Sequence, residues 1–229
     1  MTERPILFSG EMVRAILEDR KTQTRRVVKP QPAREAVKAV CVNDWWMWER
    51  WAPDRRHFDG KMSELQSDKL CPYGVPGDQL WVREAWRTLP DADSIAPRNL
   101  MNVEAYTHYE ADGNHDGMGK LRPGMFMPRW ASRITLEVTE IRVERIQEIS
   151  DDDILCEGID PSDNGDPAIE RSFNRIAFST LWDNLNARRG FPWDDDEPPP
   201  GWKNSEPFFA NPWVWAISFK QVWPDCAPV

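Results

Sequence analysis

The chain opens with a short apolar run, Ile6 to Phe8, closed by Ser9 and Gly10. It then enters EMVRAILEDRKTQ, where Met12, Val13, Ile16 and Leu17 recur at helical spacing. A strand followed by a helix is predicted, with Ser9 as N-cap, Glu11 at the positive end of the helix dipole and the last turn near Lys21. Pro72, Gly74, Pro76 and Gly77 mark turns, and GDQLWVREAW after them alternates through Leu80, Val82 and Ala85 as a strand does. RITLEVTEIRVERI carries the clearest two-residue period, with Ile134, Leu136 and Val138 between polar neighbours. In ISDDDILCEGI, Ser150 and Asp153 have capping-box spacing and Gly158 is a natural stop. A short helix with Glu157 in its last turn follows. AIERSFNRIAFSTLWDNLNARRG reads as an amphipathic helix with Ile169, Phe173, Ile176, Leu181 and Leu185 along one stripe, and PWVWAISFKQVW as a closing strand.

Between these elements the pattern is weaker. PQPAREAVKAV reads as a short helix, and NDWWMWERW concentrates Trp45, Trp46, Trp48 and Trp51. Residues 88–125, rich in Asp, Asn, Gly and Pro, read as a long surface insertion, and DDDEPPPG at 194–201 as a solvated loop. The order is strand, helix, several strands, two helices, strand, without repeats and without a Gly-rich phosphate loop. It predicts an α+β fold, a small mixed β-barrel with flanking helices, rather than a doubly wound sheet.

Composition narrows the function. The 229 residues carry a net charge of −9, which argues against broad, non-specific binding to a nucleic-acid backbone and leaves room for a local basic site. Four cysteines without a C-x-x-C pair, and histidines without ligand spacing, point to a reduced chain with no metal site and no cofactor. No charged-then-apolar leader and no membrane-length apolar run are visible, so a cytoplasmic protein is expected. The 13 tryptophans are expected mainly in core and rim packing.

Against that acidic background, EDRKTQTRRVVKPQP gathers cations and hydroxyls where the first helix ends. Lys21 and Thr24, three apart, can set an amine beside a hydroxyl, and a lysine with a lowered pKa can deprotonate it. Arg25 and Arg26 can hold a phosphate or a carbonyl oxygen. Solvated cations at a helix C-cap are the simpler alternative.

AILEDRKTQTRR resembles the G-x-K-x-x-T-x-R signature of the ASCH superfamily, whose members are PUA-like barrels; Asp19 stands where that pattern has glycine. PGDQLWVREAW, ITLEVTEIRVERIQEIS, DDDILCEGI and NPWVWAISF resemble its later segments in order, and TLWDNLN is similar to a helix of prophage-encoded members. The resemblance implies one ASCH domain over residues 1–229, with insertions at 31–76, 88–125 and 188–210. Through the bacterial N(4)-acetylcytidine amidohydrolases, it implies Thr24 as nucleophile, Lys21 as its base and Glu157 as proton donor to the leaving amine. Arg25 and Arg26 would contact the substrate, a modified nucleoside or RNA. Other members imply alternatives: a non-catalytic RNA- or nucleotide-binding phage regulator, or a ribonuclease.

Overall fold

The computed structural model describes residues 1–32, 36–42, 45–50, 71–100, 107–113, 115–160, 166–194 and 209–222. Trp51, His57, and residues 195–201 of the expected solvated loop lie outside them. The fold is α+β. Its main sheet has five strands in the order β1-β5-β8-β9-β2, where β1 is Glu3–Leu7, β2 Gln23–Val27, β5 Gln79–Arg83, β8 Thr135–Arg145 and β9 Trp213–Val222. The chain groups into two compact units. One comprises Met1–Thr22, Tyr73–Glu140 and Ser218–Val229, the other Gln23–Pro72 and Ile141–Ile217, and both β8 and β9 continue from one into the other.

In the first unit β1 runs parallel to β5, and β5 pairs antiparallel with β8 through Gln79–Glu137, Leu80–Leu136 and Trp81–Thr135. The two-residue period of β8 has its expected cause: Leu136 and Val138 are fully buried. Helix α1, Gly10–Leu17, buries Val13, Ala15 and Ile16. Ser9 holds the N-cap position, yet its hydroxyl accepts no hydrogen bond, and the first turn is closed by its carbonyl, which accepts from Val13 N at 2.9 Å. The Gly-Asp turn before β5 is built around Asp78, whose carboxylate accepts from Thr2 N at 2.7 Å and from Val75 N at 3.4 Å. Gly74, at φ 100°, leaves room for it: a Cβ there would meet Asp78 Oδ2 at 2.7 Å.

The described residues of the predicted surface insertion are mostly exposed or half-buried, with a few buried anchors, among them Leu100, Ala111 and Arg122. β6, Trp86–Arg87, pairs with β7, His108–Tyr109, and Trp86, Leu100, Met127 and Ala131 form a buried cluster. Arg122, 3% exposed, fastens the turns after residue 89 by donating to Ala92 O at 2.7 Å and Ile95 O at 3.0 Å.

In the second unit, β3, Ala36–Val42, pairs antiparallel with β4, Trp45–Arg50. The short helix expected in PQPAREAVKAV is therefore a strand; Val37, Val40 and Val42 favour extended backbone, and a partner strand starts three residues on. Helices α2, Asp151–Cys156, and α3, Pro167–Asn186, share a core of Ile146, Ile149, Ile154, Phe178, Trp182, Trp193 and Val214. α3 presents a different face from the one its pattern predicts. Phe178 and Trp182 are buried, whereas Ile169, Phe173 and Ile176 are exposed. Phe178 and Trp182, one turn apart, join the shared core, with Phe178 edge-on to Trp193 at 5.8 Å, and that packing sets the buried face.

Candidate functional site

The candidate residues lie just beyond a helix end, in a strand and at a second helix end. α1 stops four residues earlier than its pattern predicts. Asp19 takes a left-handed conformation, φ 55°, with Asp19 N donating to Ile16 O at 3.0 Å and Arg20 N to Ala15 O at 2.9 Å. This 5→2 and 6→1 pair is a Schellman cap, and the αL residue in it is where glycine is usual. Lys21 N also donates to Ala15 O, at 2.9 Å, and the chain turns inward there. Lys21 is 2% exposed, and its Nζ lies 5.8 Å from the centre of the Phe8 ring, which in turn packs on Phe219. A solvated C-cap is thus not what Lys21 forms.

Thr24, Arg25 and Arg26 lie in β2. Alternation sends Gln23 and Arg25 to one face of the strand and Thr24 and Arg26 to the other. Thr24 is 2% exposed and Arg26 half-buried. The Arg25 side chain is 1% exposed and engages the chain's own carboxylates. Its Nε donates to Glu144 Oε1 at 2.8 Å, its Nη2 lies 2.7 Å from the same oxygen and donates to Asp153 Oδ2 at 2.8 Å, and its Nη1 donates to Glu157 Oε1 and Gln23 Oε1, each at 3.2 Å. Burial alone would push the Arg25 guanidinium down; the carboxylates of Glu157, Glu144 and Asp153 outweigh it and hold it above the usual arginine range. Arg25, expected at the substrate, has these intramolecular partners.

Glu157 is the C-cap of α2 and is 5% exposed. The helix that places it follows its sequence signals closely: Ser150 Oγ accepts from Asp153 N at 3.1 Å, and Gly158 ends the helix at φ 85°. Arg142 Nη2 also donates to Asp153 Oδ2, at 2.8 Å, which ties α2 to β8. Sequence reading missed Glu144, Asp153 and Arg142 as members of this cluster. Asp153 was legible only as part of a cap, and nothing local marks Glu144. Lys21 belongs to the first unit, and Thr24, Arg25, Arg26 and Glu157 to the second.

Among the described residues no group of His, Cys, Asp and Glu is arranged to hold a metal ion, and no helix is long and apolar enough to cross a membrane. A cleft of about 250 Å³ lined by Ile95, Leu121, Arg122 and Phe126 includes none of the site residues named above.

No known family's sequence profile matches the chain, and no curated protein matches it. Among solved structures, it is similar to the ASCH domain from Lactobacillus crispatus JV V101, at 11% identity and a TM-score of 0.34, over 97% of this chain and 81% of that one. Similarity at that level decides neither family nor function.

Proposed function

We propose that the protein hydrolyses an amide on a modified nucleobase, of which N(4)-acetylcytidine is the leading candidate. The observation that supports this most is burial. Lys21, Thr24 and Glu157 are 2%, 2% and 5% exposed, so an amine, a hydroxyl and a carboxyl group are all withdrawn from bulk water. Those three groups are the set that a base, a nucleophile and an acid require.

In this reading Lys21 accepts the Thr24 hydroxyl proton as Oγ attacks the amide carbon. The tetrahedral adduct collapses with cleavage of the C–N bond, and Glu157, which enters the cycle protonated, gives its proton to the departing nitrogen and becomes a carboxylate. Water then adds to the acyl-threonine, its proton passing to Glu157. The acid leaves as Thr24 Oγ recovers its proton from Lys21. Thr24 and Glu157 need not touch, because the nucleophile meets the carbon and the acid meets the nitrogen. A nucleoside suits the site better than a long RNA, since Arg25 is engaged by carboxylates and the chain carries a net charge of −9.

The test is release of cytidine from N(4)-acetylcytidine, followed by chromatography. Thr24→Val, close to isosteric, should lower turnover by about 10³-fold or more, Thr24→Ser should keep a measurable part of it, and Lys21→Met should behave like Thr24→Val. Circular dichroism checks that each variant is folded, a necessary control because Lys21 is buried. A folded wild type that binds nucleosides or RNA and releases no cytidine would replace this reading with that of a binding module.

A further inference from the structure

We propose that Arg25 is the positioning residue for Glu157, registering the proton donor against the strand that carries the nucleophile; this rests on the reading of Glu157 just given. α2 has six residues, too few to hold its own shape in water, so the placement of its last side chain depends on what the helix is fastened to. Arg25 fastens it at two points one turn apart. Nη2 takes Asp153 at 2.8 Å, and Nη1 takes Glu157 at 3.2 Å. The opposite edge of the same planar group is set on Glu144 of β8, at 2.8 Å from Nε and 2.7 Å from Nη2. A guanidinium fixes the angles among its N–H groups, so three carboxylates gripped by one fork are fixed relative to each other. Arg25 follows Thr24 directly, so a single peptide link separates the nucleophile's residue from the residue that sets the acid.

A structural ion cluster with no catalytic consequence is the competing account, and a double-mutant cycle separates the two. Arg25→Lys keeps the charge and loses the fork. It should lower kcat on N(4)-acetylcytidine about 10- to 100-fold with KM changed by less than about 2-fold. In a Glu157→Gln background, where the acid is already absent, the same substitution should add less than about 2-fold. Glu144→Gln, which loosens the fork without touching Glu157, should show a smaller loss with the same lack of additivity, and serves if Arg25→Lys does not fold. Crystal structures should show the Glu157 carboxylate displaced in Arg25→Lys. Losses that multiply across the cycle, or an unmoved carboxylate, overturn the positioning role. A displaced carboxylate beside a fully active Glu157→Gln variant, or a wild type without turnover, sinks the hydrolase reading instead and leaves the geometric role standing.

Discussion

At the scale of single residues, two positions set against their environment give measurable consequences. Asp19 is a non-glycine residue at φ 55°, a conformation that Asp tolerates better than most and β-branched residues tolerate poorly. Glycine there relieves the Cβ conflict, partly offset by its larger entropy loss on folding. Stability should therefore rise on Asp19→Gly, by about 0.5 kcal/mol, and fall on Asp19→Val, by more than about 1 kcal/mol. Urea unfolding midpoints at constant m-value check both signs; a loss on Asp19→Gly would mean that the Asp19 side chain contributes more than the turn costs it. Glu84 is the second position. Its side chain is 1% exposed, and burial raises its carboxyl above the ordinary value of 4.5, while the hydrogen bonds and charge of Arg133 at 3.0 Å only partly counter this. With the folded value above the unfolded one, the folded state binds the proton more tightly. Stability is then greatest below the unfolded carboxylate value and falls as pH rises from there through the folded one. Glu84→Gln should flatten that decline, because Arg133 keeps its ion pair with Asp112 at 2.8 Å. Unfolding midpoints of both proteins across this pH range decide it; parallel curves would show that Glu84 contributes nothing to the pH dependence.

At the scale of elements, legibility in the sequence followed the locality of the forces. α2 was readable in full because its signals, Ser150, Asp153 and Gly158, act within a turn or two, and they place Glu157 at the helix end. α1 was readable as a helix, but its stop was not, since a left-handed Asp19 looks like one more helical residue in the pattern. α3 was readable as a helix and misread as a face. The period of Ile169, Phe173 and Ile176 is real, and the cluster that Phe178 and Trp182 join with Ile146, Ile154, Trp193 and Val214 decides which side is buried. β3 was misread because a seven-residue stretch with alanines and valines fits either state until a partner strand is known. The cluster around Arg25 was least legible of all. Its partners Glu144, Asp153 and Glu157 lie 119, 128 and 132 residues away, beyond any spacing rule.

At the scale of the whole molecule, charge separates the two substrate classes. A chain of net charge −9 repels a polyanion at long range, and the cation nearest Thr24 in sequence, Arg25, is engaged by three carboxylates. A free nucleoside carries no phosphate and releases no counterions on binding, so its turnover should change by less than about 2-fold between low and moderately high salt. Single-stranded RNA behaves otherwise wherever it is bound through phosphates: the logarithm of its affinity falls linearly with the logarithm of salt, by about 0.7 per phosphate contacted. Arg26 leaves β2 on the face opposite Arg25 and is half-buried, which makes it the site arginine best placed to meet such a phosphate. Salt titrations of nucleoside turnover and of RNA affinity, each with wild type and Arg26→Ala, are therefore expected to give a flat profile for the nucleoside and weak affinity for RNA. A steep RNA slope that Arg26→Ala lowers by about 0.7 would instead make a polymer the substrate, and would assign Arg26 to its backbone.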